Sequence, residues 1–302
     1  MPITSGDGAS HPEAPVIYKK RNSYLNADTW RRFKRNKSAL FGMALFGVFV
    51  IFTIFADVIA PRALVYEQNI MNRMAPMSWQ HIFGTDTYGR DIFARIVHAT
   101  RYSLLMGIVS VVVGVALGSI LAAVAGLYRG KVDTIIMSVM DTILCIPFML
   151  LALAIVAALG PGLGNLLLAL VIGSIPIYVR IIRSSILTMV ESDFVEAARC
   201  CGSSDWYIVT KHVLPNAIGT IIVQATMSVG TRIIWAAALS YVGMGIQPPK
   251  PEWGAMLSEG KDYMMNCPRL VIFPGMAIVL CCMALNLMGD GLRDALDPRL
   301  KD

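Results

Sequence analysis

The sequence has few charged residues for its length. Only 15% of its 302 residues are Asp, Glu, Lys or Arg, against roughly 25% in an average soluble domain. Hydrophobic residues make up 56%, and the mean hydropathy is +0.61. This composition excludes a disordered chain, a collagen and a disulfide-stapled secreted module. An integral membrane protein remains, provided that the apolar residues lie in long runs.

Basic residues are also scarce outside the first 38 positions. Residues 1–38 contain eight Lys or Arg and three acidic residues, whereas the rest of the chain contains 18 basic and 17 acidic ones. A nucleic-acid-binding protein would spread its basic residues over a folded face. A basic cluster directly before an apolar run is instead typical of a cytoplasmic anchor. We therefore expect a cytoplasmic tail over residues 1–38 and no nucleic-acid partner.

Six apolar stretches are long enough to cross a bilayer, which takes about 20 residues. They are residues 39–60, 101–129, about 134–159, about 166–187, about 216–245 and 269–290. No apolar run precedes the first, so it predicts an uncleaved anchor. A Gly- and Pro-containing turn at 160–165 separates the third stretch from the fourth. The prediction is an all-α polytopic membrane protein with six transmembrane helices.

The distribution of Lys and Arg predicts the orientation. With both termini in the cytoplasm, 17 of these residues fall on cytoplasmic segments and eight on outer ones, as the positive-inside rule requires. The predicted organisation is a basic N-terminal tail (1–38), a first transmembrane helix with an extracytoplasmic segment (39–100), a core of five helices (101–291) and a cytoplasmic C-terminal tail (292–302).

Motifs for catalysis and for metal binding are missing. The four histidines are far apart, and the six cysteines form two adjacent pairs with no C-x-x-C spacing. We therefore expect no catalytic residues, no metal site and no enzymatic activity in this chain. The cysteines are interpreted as buried thiols, with Cys267 as the exception because it falls on the predicted outer side.

One polar segment, at about 190–215, stands out between the fourth and fifth spans. It contains Glu196-Ala197-Ala198, then Gly202, and later Leu214-Pro215. The two alanines keep a helix surface low, so that another protein can approach closely. A glycine allows the positive φ that ends a helix, and a proline is tolerated in a first helical turn. The segment predicts a short helix, a turn and the start of a further helix.

The same segment carries a resemblance to a known family. The pattern E-A-A-x3-G followed by L-P, on the six residues just named, is similar to the signature loop of membrane subunits of ATP-binding-cassette (ABC) importers. Three further stretches, 83–91, 247–254 and 286–298, strengthen the likeness. Over residues ~30–302 the chain resembles the C-type permeases of dipeptide, oligopeptide and nickel importers.

The resemblance implies a fold and a set of partners. The fold would be the type I ABC importer transmembrane fold, in an inner or plasma membrane. A homologous B-type permease, two cytoplasmic ABC ATPases, an extracytoplasmic peptide-binding protein and membrane lipid would be the partners. The ATPases would use ATP and Mg, so no cofactor is expected on this chain. Segment 190–215 would couple ATPase closure to the spans.

Charged residues inside the spans are candidate functional residues. Asp141, Arg180 and Arg232 are of this kind, and each could line a pathway or form an interhelical salt bridge. Pro147, Pro176 and Pro274 predict kinks.

The outer motif at 83–91 contains six residues whose types favour turns. In Gly84-Thr85-Asp86 and Gly89-Arg90-Asp91, each Asp can bond backbone amides. The residues about 89–100 that follow predict an amphipathic helix that could lie on the membrane. The motif could be scaffold or could contact a partner.

Three other functions stay open at this stage. A nickel or other small-solute ABC permease would share the same motifs, and the absence of clustered histidines favours peptides. A secondary transporter would leave segment 190–215 unexplained and is expected to show an internal repeat, which is not seen. A membrane-embedded enzyme would need a cluster of His or carboxylate residues.

Overall fold

A computed structural model describes residues 27–296 of the chain. The part of the chain that it describes is almost entirely helical and contains no β-strand. Thirteen α-helices follow one another: α1 (Ala27–Arg35), α2 (Lys37–Ile59), α3 (Arg62–Tyr66), α4 (Ile92–Tyr128), α5 (Gly130–Cys145), α6 (Phe148–Leu159), α7 (Leu163–Ile172), α8 (Ile175–Val190), α9 (Asp193–Cys200), α10 (Asp205–Ile208), α11 (Leu214–Tyr241), α12 (Trp253–Gly260) and α13 (Arg269–Leu296). A π-helical segment, Val209–Val213, joins α10 to α11.

Five of the helical segments are long and apolar enough to cross a membrane. They are α2, α4, the pair α7 and α8, the continuous run from α10 to α11, and α13. Helices α5 and α6 also pass together, but they are bent by 89° at their junction. The prediction of six spans is confirmed if this bent pair is counted as one. Pro147 lies at the bend, where it disfavours continuation of the preceding helix.

The predicted membrane-surface helix at about 89–100 is wrong. Helix α4 is continuous over 37 residues, so these residues form its first turns and run into the second span. Ile96 and Val97 are buried, and so are the polar side chains of Arg95 and His98. The helix continues because its charged residues find partners: the Arg101 guanidinium, for example, lies 2.9 Å from the Asp57 carboxylate of α2.

Glycines bring α4 and α8 into close contact. A Cβ atom built on Gly114 would lie 2.2 Å from the Ser174 hydroxyl, and one on Gly118 would lie 2.7 Å from the Tyr178 side chain. Small residues at such positions let membrane helices approach closely. Residue numbers rise together along both helices, so α4 and α8 run parallel.

Both ends of the described chain lie on the same side of the bundle as α9. Helix α13 runs antiparallel to α11, since Gly230 faces Cys282 and Gly289 faces Met227. The end of α13 therefore lies beside the start of α11. Helix α1 packs there as well, and the Asn36 amide donates to the Asp294 carboxylate over 3.2 Å. We call this side the α9 end and the opposite side the α12 end.

Candidate functional site

Helix α9 and the segment that follows it are anchored to the bundle by buried apolar side chains. Val195 of α9, Ile208 of α10, and Val209 and Val213 of the π-helical segment are fully buried and join the main hydrophobic core. This core also includes residues of α8 and α11. A displacement of α9 would therefore be transmitted to two long helices through close-packed side chains, which have low compressibility.

The other face of α9 is open, and it carries the Glu-Ala-Ala motif. Glu196 and Ala197 are exposed, and Ala198 is half-buried. The helix ends at Gly202, whose φ of +80° lies in the left-handed region. The Ser203 amide donates to the Ala198 carbonyl over 3.1 Å and closes this end. The predicted helix and its glycine terminator are confirmed.

Leu214 and Pro215 begin α11, as the sequence predicts. Pro215 lies in the first turn of α11, directly after the π-helical segment Val209–Val213. In the preceding turn, Ser204 accepts a hydrogen bond from the Tyr207 amide and caps α10. Ser192 stands at the N-terminal cap of α9 but bonds no amide of this helix, since its hydroxyl donates to the Met189 carbonyl.

Three aromatic side chains at the α9 end were missed by sequence reasoning. Phe194, Trp206 and Tyr207 are each about half exposed although they are large and apolar. Exposed aromatic side chains are enriched where proteins bind one another. In the sequence, these three residues could have been identified from their position beside polar helix caps, outside any apolar run.

A cleft of about 630 Å³ separates α9 from the junction of α4 and α5. Four charged residues contribute to its lining: Arg129, Glu191, Glu196 and Arg199. Arg129 and Glu191 approach to 3.9 Å, and both are at least half exposed. The cleft is therefore polar and open to solvent.

At the α12 end, the outer motif builds a ring of four charges. Asp86 accepts from Arg90 (Nε, 2.7 Å) and from Arg95 (Nη1, 2.6 Å). Glu259 of α12 accepts from the same two arginines, each over 2.7 Å. The two arginines and Asp86 are buried, and the charges balance, as buried charges require. Sequence reasoning singled out Asp86 and Arg90 and missed Arg95 and Glu259.

The aspartates of this motif bond backbone amides, as predicted. Asp86 accepts from the amides of Tyr88 and Arg90 over 2.8 and 2.9 Å. Asp91 caps α4 by accepting from the Ala94 amide over 2.7 Å, and its second oxygen contacts His81.

The neutral members of the motif support the same turns. Thr85 bonds Asn72 and Ala75 through its hydroxyl. Gly84 and Gly89 have φ values of +76° and +78°. A Cβ atom on Gly89 would lie 1.8 Å from the Asn69 carbonyl oxygen. The motif therefore holds an irregular segment against the start of α4.

Two of the three charged residues predicted inside the spans pair with each other. Arg180 of α8 donates to Asp141 of α5 over 2.5 Å, and the two side chains are 56% and 54% exposed. Arg183 and Asp133 form a second, less exposed pair between the same helices. Asp141 and Arg180 therefore form an interhelical salt bridge, which is one of the two predicted alternatives. Because both side chains are more than half exposed, the other alternative, a role in a pathway, stays open.

Arg232 lies apart from this pair and is only 5% exposed. Its guanidinium carbon is 5.5 Å from the ring centre of Phe148, at the bend between α5 and α6. Within residues 27–296 no carboxylate forms an ion pair with it. A cation–π contact therefore accompanies its burial.

The expectation of buried thiols holds for two of the five cysteines to which it applies. Cys281 and Cys282 are buried as expected, but Cys145, Cys200 and Cys201 are exposed. Cys267, expected to be accessible, is 2% exposed, because its turn packs against the core below α12. Among the described residues, no three His, Cys, Asp or Glu side chains are placed to hold a metal ion.

Two models of known protein families match the chain. The family model of the binding-protein-dependent transport system inner membrane component matches residues 114–302. A second family model, the N-terminal TM domain of oligopeptide transport permease C, matches residues 23–76.

Curated relatives match along almost the whole chain. A dipeptide transport system permease of Alkalihalophilus pseudofirmus is 42% identical, over 93% of both chains. A glutathione transport system permease of Escherichia coli (strain 536) is 43% identical over 90% of both. A di/tripeptide transport system permease of Pseudomonas aeruginosa is 42% identical over 90% of this chain and 92% of its own.

A solved structure shows the same fold. The inward-facing MetNI methionine ABC transporter matches with a TM-score of 0.58 and 20% identity, covering 68% of this chain and 98% of its own. This likeness confirms the type I ABC importer transmembrane fold. Together with the family models and relatives, it shows that the chain belongs to the family of binding-protein-dependent transport system inner membrane components, in its dipeptide/oligopeptide ABC importer permease branch.

Proposed function

We propose that this chain forms, with a homologous B-type permease, the membrane pathway of an ATP-driven importer of short peptides. The α9 helix carries the proposal, because it joins an open surface at Glu196 and Ala197 to Val195, which is buried in the core that the spans share. A secondary transporter binds no ATPase, so that alternative leaves such a helix unexplained. The three relatives described above are named for dipeptides, glutathione and di/tripeptides, which supports peptides over nickel.

The α9 end faces the cytoplasm in this proposal. Both described termini lie at that end, together with the basic residues of α1 and those at 129 and 131. Short positively charged segments are retained on the cytoplasmic side during insertion. The α12 end, with its ring of four charges, then faces the outside and receives a peptide-binding protein.

Each permease would bind one cytoplasmic ABC ATPase through its α9 helix. Ala197 leaves room for a close approach, Glu196 offers a charge, and the neighbouring aromatic side chains offer apolar area. ATP and Mg would be bound by the ATPases and not by this chain. Their closure would move α9 as a rigid body, and the motion would pass to α8 and α11 through the shared core.

The first test is purification of the tagged chain in mild detergent after expression with its neighbouring subunits. Recovery of a second six-span permease and of ATPase subunits supports the proposal. A chain that purifies alone or as a homodimer contradicts it.

The second test uses Ala197→Trp, with Ala197→Ser as the matched control. The Trp variant should insert and pair with the partner permease but lose the ATPase and peptide uptake, since the indole blocks close approach. The Ser variant should behave like the wild type. Normal ATPase binding by the Trp variant would remove α9 from the proposed interface.

A further inference from the structure

Helix α5 has two kinds of exposed surface. Thr134, Ser138 and Asp141, three and four residues apart, lie on one side of the helix and are all exposed. Ile135 and Val139 on the adjacent side are exposed and apolar, and the exposed Thr142 of that side donates its hydroxyl to the Ser138 carbonyl within the helix. The remaining side packs on the bundle through Met140.

Helix α8 has an exposed polar side of its own. Arg180, Ser184 and Thr188 follow one another at intervals of four residues and are exposed. The ion pair between Asp141 and Arg180 joins this side to the polar side of α5. We call these six residues the polar wall: Thr134, Ser138, Asp141, Arg180, Ser184 and Thr188.

With the level of Arg129 and Glu191 taken as the boundary of the hydrocarbon core, the ion pair lies near the middle of the membrane. Asp141 is eleven residues from the start of α5 and Arg180 ten residues from the end of α8. At about 1.5 Å per residue, both lie ~15 Å from the level where Arg129 approaches Glu191. This depth is about half the thickness of the hydrocarbon core, which is ~30 Å.

Lipid is a poor environment for the exposed side of this pair. More than half of each charged side chain is exposed in the single chain, and charges at such depth almost always face a bundle interior or a water-filled cavity. The hydroxyl groups alone would not decide the question, because Thr134 donates to the Gly130 carbonyl four residues earlier. The argument rests on the two charges.

We infer that the polar wall is one side of a water-filled translocation pathway along which the peptide passes. A short peptide is zwitterionic, and the pair presents one charge of each sign side by side, to which its carboxylate and ammonium groups are complementary. The inference rests on the proposed function, since it takes a peptide as the cargo. The apolar side at Ile135 and Val139 would face lipid or the partner permease.

The test compares adjacent residues on α5. In the assembled transporter, Cys145, Cys200 and Cys201 are first replaced by Ser, which leaves only the three buried cysteines. Peptide uptake by this background in proteoliposomes is measured before any labelling. If the transporter with its native cysteines takes up no peptide, that result counts against the proposed function, independently of the polar wall.

Single cysteines are then introduced as Ser138→Cys, Ser184→Cys and Val139→Cys, and treated with a charged methanethiosulfonate. Because the thiolate is the reacting species and forms poorly in apolar surroundings, the two polar-wall thiols should react about tenfold faster than the thiol at 139. Peptide supplied with its binding protein should slow the reaction at 138 and leave 139 unchanged.

Three results would overturn the inference while leaving the proposed function intact. They are equal rates at 138 and 139, a faster reaction at 139, and no reaction at 138 or 184 in a transporter that still takes up peptide. The last result would mean that the polar wall is sealed against lipid or against the partner permease.

Discussion

Arg95 of α4 and Glu259 of α12 are joined by two hydrogen bonds of 2.7 and 3.1 Å across 164 positions of sequence. The same carboxylate also accepts from Arg90, so one residue of α12 neutralises charge on two arginines. Asp86 does the same from the other side. The start of the second span is thereby attached to the segment before the last one.

Glu259→Gln should destabilise this attachment. The variant leaves two buried guanidinium groups opposite the single charge of Asp86, and removing one partner of a buried ion pair costs about 3 kcal/mol or more. We expect a lower midpoint of thermal unfolding for the purified transporter. The control is Glu191→Gln, which removes an exposed carboxylate 3.9 Å from its cation and should change little. Equal midpoints for the Glu259 variant and the wild type would show that the ring contributes no stability.

The sequence predicts local features of this ring but not its completion. Asp86 and Arg90 lie four residues apart in a Gly-containing turn, so their contact follows from local geometry. Glu259 reaches the ring only because α12 folds back over the start of α4. That arrangement depends on packing between distant helices, and no local pattern encodes it.

Two of the errors in the prediction, the surface helix and the accessible Cys267, have a related cause. Residues 92–100 have the amphipathic pattern of a surface helix, but Arg95 and His98 are buried by residues of α12 and of the end of α2. His98, for example, contacts the Ala60 carbonyl over 2.8 Å. Cys267 lies in a polar segment, yet it is covered by the core. Span positions and helix ends depend on local composition, whereas burial depends on which distant elements meet.

Gly202 ends α9 with a positive φ and open space around its Cβ position. Gly202→Val should therefore strain only the backbone, by about 1–3 kcal/mol, and distort the end of α9. We expect peptide uptake to fall by about fivefold or more, at an unchanged amount of inserted protein on immunoblots. Asn tolerates this conformation, so Gly202→Asn should retain most of the uptake. Equal uptake by the two variants would contradict a role for the helix end.

Glu252 caps α12, accepting from the Gly254 and Ala255 amides over 3.0 and 2.9 Å. Burial raises the pKa of its carboxyl above the usual value, although these hydrogen bonds oppose the shift. With a raised pKa in the folded state, its contribution to stability is complete below the unfolded pKa of about 4.3 and declines as the pH rises through the folded pKa.

Glu252→Gln should remove this pH dependence. The midpoint of thermal unfolding of the wild type, relative to that of the variant, should fall as the pH rises from acid to neutral. Gln keeps one of the two acceptor oxygens, so one of the two amides loses its partner in the variant, and this loss lowers the midpoint by an amount that does not depend on pH. The raised pKa is contradicted if the difference between the two midpoints stays constant as the pH rises. It is also contradicted if the wild type becomes more stable relative to the variant as the pH rises.

The proposed orientation predicts which cysteines can be labelled from outside intact cells. Trp79 is fully exposed at the α12 end, so a cysteine introduced as Trp79→Cys should react with a membrane-impermeant maleimide. Cys200 and Cys201 are exposed at the opposite end and should react only after the cells are permeabilised. Native Cys267 should stay unlabelled in both conditions because it is buried, which makes it an internal control for folding. Labelling of the 200/201 pair in sealed cells would reverse the orientation and move α9 away from any cytoplasmic ATPase.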